Sequence, residues 1–252
     1  MLNFLKKPKL PSSFDIVGSI LIINEKIQKQ KKVAKLLLKK HKNIKTILVK
    51  TKQYQGKYRT PTLKHLKGIK TKITYHRESK CIFHLNVEKC YFSVRSGSER
   101  LRIAKQVKPN ENILTLFSGV APFPLIIAKN AKPKHIDAIE INPIAHKYAK
   151  ENLKINKTTN ITLYNQDVKK ILPNLKTYNR IIMPLPKEAH LYLKEAKKHL
   201  KPKGTIHLYL FEREENFKNL INKYKKQFKT VKLTKAGKYA PSTYRICLDL
   251  KA

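Results

Sequence analysis

The chain has 252 residues, 41% of them apolar and 29% charged, a globular composition that excludes a disordered chain. Lysine and arginine number 56 against 16 aspartates and glutamates, a formal charge of +40. That excess points to a polyanionic partner, nucleic acid ahead of an acidic membrane surface, with lysine bias of the genome as the plainer alternative. Cys81, Cys90 and Cys247 exclude a paired disulfide framework and fit a reducing cytoplasm. They lack zinc-knuckle spacing and the histidines are scattered, so no metal site is expected. The start, MLNFLKKPKLP, has no signal-peptide core, and no run approaches the ~20 apolar residues of a membrane span. A soluble cytoplasmic protein follows.

In chain order, residues 1–9 read as a basic leader. Phe14–Val17 and Ile20–Ile23 are strand-like around a Gly18-Ser19 turn. Lys26–His41 is a lysine-rich helix with Val33, Leu37 and Leu38 on its apolar stripe. Ile44–Val49 is a strand, followed by the basic patch Gly56-Lys57-Tyr58-Arg59-Thr60 and the strands Thr71–Tyr75 and Cys81–Asn86. Residues 10–88 thus form a small α+β domain. Residues 89–252 form a second domain, where strands at 113–117, 135–140, 161–164, 180–183 and 205–211 alternate with helices at 124–129, 143–156, 187–200 and 214–228. Two more strands close it, at 231–234 and 244–250. Such alternation predicts an α/β domain with a mostly parallel, Rossmann-like sheet, which binds ligands at the carboxyl ends of its strands.

The chemistry-bearing residues fall at those ends. Leu116-Phe117-Ser118-Gly119-Val120-Ala121 is a small-residue turn that lets backbone N–H groups approach a ligand, although an ordinary strand-to-helix turn has the same composition. Glu140, about 20 residues further on, suits the two hydroxyls of a ribose, and Asp167 suits an adenine amino group. The alternative for both carboxylates is helix capping. Turn and acidic tips together form a nucleoside-cofactor layout without a phosphate cradle, which favours S-adenosyl-L-methionine over NAD. Pro184-Leu185-Pro186 makes a rigid turn after the fourth strand. Glu99 stands among Arg95, Arg100 and Arg102, either as a structural ion pair or as a base beside RNA-binding arginines.

Gly56-Lys57-Tyr58-Arg59, His76-Arg77-Glu78, Tyr91-Phe92-Ser93-Val94-Arg95, Glu99-Arg100, Leu116-Phe117-Ser118-Gly119-Val120 and Met183-Pro184-Leu185-Pro186 occur together in this order. With the closing Lys238-Tyr239-Ala240-Pro241, the set resembles the archaeal and eukaryotic tRNA (guanine-37-N1)-methyltransferases from about Leu10 to the C-terminus. The resemblance implies a class I methyltransferase fold, S-adenosyl-L-methionine as cofactor and the anticodon arm of tRNA, tRNA-Phe in particular, as partner of a monomeric enzyme. It implies that Glu99 takes the guanine N1 proton and that Arg59 stabilises charge on the base oxygen. Tyr91, Arg95 and Pro186 are then substrate-binding. Arg100, Phe117, Gly119, Glu140, Ile141, Asp167 and Pro184 border the cofactor. With no room before Leu10 for the family's additional N-terminal domain, a minimal form is expected.

Four positions depart from the family pattern. Thr115 replaces an acidic residue, Ala121 a glycine and Val94 a proline, and Pro184 stands where an asparagine is usual. Asparagine can bond a guanine edge; the proline side chain cannot. Pro184 resembles one archaeal branch that also methylates C7 of 4-demethylwyosine to give isowyosine. A single-activity N1-methyltransferase, an aminocarboxypropyl transferase (disfavoured by Leu185-Pro186) and an inactive tRNA binder are the alternatives.

Overall fold

A computed structural model describes residues 10–24 and 28–252. The expected leader over 1–9 and the first residues of the expected 26–41 helix lie at least partly outside the described residues. The chain divides into two compact units, one running to Glu78 with Ile82–Val94, the other comprising Ser79–Cys81 and Arg95–Ala252.

In the first unit, β1 (Phe14–Val17), β2 (Ile20–Ile23), β3 (Thr46–Gln55) and β4 (Thr60–Gly68) form a four-stranded sheet in the order 1-2-3-4. β2 and β3 are parallel; the other neighbours are antiparallel. Helix α1 (Gln30–Lys40) makes the crossover and buries Val33, Ala34 and Leu37 against Leu21, Ile23, Ile47 and Val49. β5 (Ile73–Glu78) and β6 (Cys81–Asn86) form a separate ribbon. β4 has no counterpart in the sequence reading. Pro61 and Leu63 alternate with the exposed Thr62 and Lys64, but a proline is a poor strand signal and the alternation breaks in the Lys-His-Leu-Lys tail, so the period-two signal is short.

In the second unit, the strands are β7 (Asn112–Thr115), β8 (His135–Ile139), β9 (Ile161–Tyr164), β10 (Tyr178–Met183), β11 (Leu200–Arg213), β12 (Thr230–Ala240) and β13 (Thr243–Lys251). They form one sheet in the order 12-13-11-10-7-8-9. β9, β8, β7, β10 and β11 run parallel, and β13 is antiparallel to both β11 and β12. The helices are α2 (Gly97–Gln106), α3 (Pro122–Asn130), α4 (Pro143–Ile155), α5 (Val168–Ile171), α6 (Leu193–Lys198) and α7 (Phe217–Lys225). Ile181, Ile182 and Met183 are all fully buried, as expected for a central parallel strand covered on both faces.

The expected helix over 187–200 is instead a 3-10 turn at Ala189–Tyr192 followed by the shorter α6. β12, β13 and the far end of β11 outrun their expected bounds as a long antiparallel ladder that extends past the apolar runs, and β11 also starts earlier, at Leu200, where it pairs with Tyr178 of β10. α2, which carries Glu99, was not anticipated. Its apolar positions are few, and its inner face is built from Glu99, Arg100, Ile103 and Ala104. Among the described residues, no helix is long and apolar enough to cross a membrane.

Candidate active site

β7 sits between β8 and β10, so successive connections leave it in opposite directions and open a crevice at the carboxyl edge of the sheet. The turn after β7 occupies that crevice. Phe117, Gly119 and Ala121 all take left-handed backbone angles (φ 54°, 58° and 66°), so the chain reverses tightly before α3. Only glycine adopts that region without penalty, and two side-chain-bearing residues hold it here because the surroundings pin them. Leu116 N–H donates to Ile182 O at 3.0 Å and Ser118 N–H to Ile139 O at 2.8 Å, tying the turn to β10 and β8.

Glu140 closes the turn from the next strand. Its Oε2 accepts from Gly119 N–H at 2.7 Å and its Oε1 from Asn142 N–H at 2.7 Å. With the Ile141 N–H as a third backbone donor, the carboxylate keeps about one further acceptor position. Burial pushes the Glu140 carboxyl above its ordinary pKa, against the backbone N–H groups of Asn142, Gly119 and Ile141 that pull it down. Three asparagines support this geometry. Asn142 caps α4 by accepting from Ile144 N–H at 3.0 Å, Asn152 donates to Val120 O at 3.1 Å, and Asn165 donates to Glu140 O at 2.8 Å. The sequence reading began this helix at Pro143 but did not single out Asn142 as its cap, and the other two asparagines act across long sequence intervals. Asp167 caps α5, accepting from Lys169 N–H at 2.9 Å. Ile141 lies between Glu140 and Asn142, and Pro184, Leu185 and Pro186 follow β10, the strand hydrogen-bonded to β7.

The buried hydroxyls Thr115 Oγ1 and Ser118 Oγ have no hydrogen-bond partner among the described residues. Unpaired polar atoms under a strained turn, with an acceptor position left on Glu140, fit a cofactor that presents a ribose and a polar nucleoside edge.

Glu99 lies on the inner face of α2, 5% exposed. Arg102 grips it through Nε at 2.7 Å and Nη2 at 2.8 Å, and Tyr209 donates its hydroxyl at 2.7 Å. Arg102 Nη1 also bonds Asp249 Oδ2 at 2.7 Å. Asp249 accepts from His207 Nδ1 at 2.6 Å, and His207 Nε2 receives Arg180 Nη1 at 2.6 Å. Arg180 in turn clasps Glu111 at 2.7 and 2.9 Å. The chain of alternating charges therefore runs from Glu111 to Glu99 through the sheet. Burial opposes the charge of Asp249, but the bonds from His207 and Arg102 outweigh it and hold the carboxyl well below the usual range. His207, Cys247 and Asp249 bring potential ligand atoms within 4.8 Å of one another, a grouping that sequence spacing did not reveal. Two guanidinium groups flank that cluster and already use its acceptors, which disfavours a cation. Burial also pushes the Cys247 thiol well above its ordinary value, so it is not a ready thiolate ligand.

Arg100 is buried on α2, and Arg95 is exposed in the 3-10 turn that leads into it. Arg59 and Tyr91 belong to the first unit. Arg59 adopts a left-handed backbone angle of 51° after the Gly56 turn, and its Nη1 is buried without a hydrogen-bond partner among the described residues. Tyr91 is 40% exposed and meets Tyr54 edge-on at 5.1 Å.

The strand order and the turn–carboxylate pairing define a class I S-adenosyl-L-methionine-dependent methyltransferase domain. Residues 74–235 match the TRM5/TYW2 methyltransferase domain family and residues 5–71 the TYW2 N-terminal domain, and the chain belongs to this family. Its cofactor is S-adenosyl-L-methionine.

The chain is 36% identical to the tRNA (guanine(37)-N(1))-methyltransferase Trm5b of Pyrococcus abyssi, over 96% of this chain and 75% of the relative. It is 32% identical to the tRNA (guanine(37)-N(1))/4-demethylwyosine(37)-methyltransferase Taw22 of Nanoarchaeum equitans, over 83% and 87%. It is 33% identical to the tRNA(Phe) (4-demethylwyosine(37)-C(7)) aminocarboxypropyltransferase of Methanocaldococcus jannaschii, over 93% and 96%. Among solved structures, a complex of aTrm5 with tRNALeu superposes with a TM-score of 0.86 at 32% identity, over 96% of this chain and 72% of that one. Methanocaldococcus jannaschii TYW2 in complex with AdoMet superposes with a TM-score of 0.73 at 27% identity, over 95% and 98%.

Proposed function

We propose that this enzyme methylates nucleotide 37 of tRNA, at N1 of guanine and at C7 of 4-demethylwyosine. The observation that carries the reading is the adjacency of β7 and β10, where Ile182 pairs with Thr115. Adjacent strands bring the cofactor turn at Phe117–Gly119 and the Pro184-Leu185-Pro186 turn to one edge of the sheet. The bound cofactor supplies an electrophilic methyl group on a positively charged sulfur. Glu140 and the turn backbone hold its nucleoside, with Ile141, Asp167, Arg100 and Pro184 bordering it. Glu99 accepts the N1 proton, Arg59 stabilises the negative charge that develops on the base oxygen, and Tyr91, Arg95 and Pro186 hold the base. The small N-terminal domain, proposed to span residues 10–88, faces the RNA, and the lysine surface grips the anticodon arm through phosphates. The enzyme acts on tRNA-Phe as a monomer.

Pro184 and the likeness to the bifunctional Taw22 support the second methylation. A prolyl wall gives a flat, apolar surface for the larger tricycle and lacks the amide with which asparagine could bond a guanine edge. The test is a transfer assay with labelled S-adenosyl-L-methionine on tRNA-Phe bearing guanosine or 4-demethylwyosine at position 37, with nucleosides identified by mass. Methyl products on both support the reading. Product on guanosine alone removes the second activity, and no product on either removes the enzyme.

A second reading is aminocarboxypropyl transfer from the same cofactor. It is favoured by the TYW2 N-terminal domain match and the likeness to the Methanocaldococcus jannaschii transferase. The Leu185-Pro186 turn counts against it, and product mass separates the two.

A further inference from the structure

A cleft of about 420 Å³ opens beside Pro186 at the carboxyl ends of β10 and β11, a size within the usual range of small-ligand sites. Its floor is Leu210 with Leu220 and Tyr224 of α7. One wall is an aromatic pair: Tyr239 of β12 lies over Phe211 with ring centroids 4.2 Å apart and planes at 35°. Tyr239 is nevertheless 60% exposed, so one face of this pair is open. Lys187, His190 and Lys223 line the cleft as well, all exposed. The carboxylate at the rim, Glu212, already accepts from Arg213 N–H at 2.9 Å and Asn216 Nδ2 at 2.8 Å.

The cleft is separate from the Glu99 chemistry. Successive side chains of a strand face opposite sides of its sheet. Leu210, which floors the cleft, points away from its neighbour Tyr209, which bonds Glu99; Phe211 shares the face of Tyr209 but lies nearer the strand's end, and neither Glu99 nor Tyr209 lines the cleft. Pro186 alone is common to the cleft and to the proposed substrate turn.

We propose that this cleft holds a second, unstacked nucleotide of the RNA substrate, the neighbour of the one being modified, with its base stacked on Tyr239–Phe211 and its phosphate met by Lys187 and Lys223. An exposed aromatic platform ringed by cations is the arrangement that binds single-stranded bases, because every base offers a π-face and every link carries a charge. Extruding a target base from a loop also strips its neighbour of a stacking partner, and the platform replaces that contact. The occupant rests on the reading of the chain as a tRNA-modifying enzyme.

The experiment uses the full chain and an anticodon stem-loop with 2-aminopurine substituted on either side of the target nucleotide. Emission should change on binding to the native enzyme and to Tyr239→Phe. With Tyr239→Ala the change is lost and KM for tRNA in methyl transfer rises about tenfold. Affinity for S-adenosyl-L-homocysteine stays level in all three and reports an intact fold, and a Lys187→Glu, Lys223→Glu pair repeats the KM effect by charge alone. If the native enzyme methylates tRNA and Tyr239→Ala matches it in emission and KM, the cleft assignment falls and the functional reading stands. If the native enzyme binds no RNA, both fall.

Discussion

The Tyr209 hydroxyl donates to Glu99 Oε1 at 2.7 Å across 110 positions of sequence, joining the middle of β11 to the first turn of α2. With Arg102 on both oxygens, this fixes the Glu99 carboxylate in one orientation. Tyr209→Phe removes a single donor and keeps the ring against Phe123. It should lower kcat for methyl transfer about tenfold and leave KM for tRNA within about twofold, because orientation of Glu99 as the proposed base matters to the transition state more than to binding. Glu99→Ala should suppress transfer while tRNA still binds. Single-turnover assays with gel-shift binding check both; full turnover by Glu99→Ala would remove its role as base.

Asp137, in the centre of β8, anchors a second polar network in the same sheet. It accepts from Tyr178 at 2.8 Å and Tyr164 at 3.4 Å, and Lys176 lies 3.2 Å away. Asp137→Ala strands the fully buried Tyr178 hydroxyl and should cost about 2–3 kcal/mol in urea unfolding. Tyr178→Phe alone should cost less. The double variant should fall short of the sum, as contacting partners do. Additive losses would show that the pair does not act as a unit.

The turn-and-carboxylate arrangement was legible in the sequence because each part is local. A strand, a turn and an acidic tip lie within one βαβ unit, and Glu140 reaches Gly119 only 21 positions back. The state of Glu99 was not legible. Arg102 is one helical turn away, but Tyr209, Asp249 and His207 arrive from strands whose order is set by the whole sheet. His207 and Asp249 face each other in the antiparallel β11–β13 ladder, a register that no local pattern encodes. α2 was missed because half of its buried face is charged, Glu99 and Arg100 beside Ile103 and Ala104, and β4 because only Pro61 and Leu63 mark its inner face before the pattern breaks, so hydrophobic periodicity was weak in both.

Acid should expose that ladder. Burial pushes His207 below its ordinary value, with Asp249 pulling it up and Arg180 pushing it down, and Asp249 itself is held well below the carboxylate range. For both groups the unfolded chain takes up protons that the folded chain refuses, so stability falls as pH falls. The first decline begins below about pH 6.5 and the second below about pH 4, the ordinary values for histidine and aspartate. Urea unfolding across that range should show both. His207→Gln should flatten the first decline except for the share of His146, whose burial also lowers its value. A profile unchanged by His207→Gln would mean that the network does not couple folding to protons.

Two glycines with the same backbone sign should respond differently to alanine. Gly18 (φ 55°) turns β1 into β2, and a Cβ there would sit 2.1 Å from Tyr75 O. Its N–H also donates to His76 Nδ1 at 3.2 Å. Gly56 (φ 71°) has nothing within 4 Å of an added Cβ. Gly56→Ala should cost only about 1 kcal/mol for the left-handed backbone. Gly18→Ala should cost more, because backbone must move. Comparing both by thermal unfolding of the full chain tests this; equal losses would mean that the Gly18 contact relaxes freely.

Glu140 gives a pH signature to cofactor binding itself. Its carboxyl is pushed above the ordinary value by burial, while ribose hydroxyls would donate to its charged form. Because its folded value is raised, it takes up a proton in the folded enzyme before an exposed glutamate would, and cofactor affinity should fall as that happens. Titration calorimetry with S-adenosyl-L-homocysteine from about pH 8 to about pH 5 should therefore show weakening that begins above the ordinary carboxylate range. Glu140→Gln keeps the shape but replaces one acceptor with a donor, and one of the Gly119 or Asn142 amides loses its partner. Affinity should drop about tenfold or more, and the pH dependence should disappear with the carboxylate. Native affinity that stays flat over the range would show that Glu140 holds the turn and not the ribose.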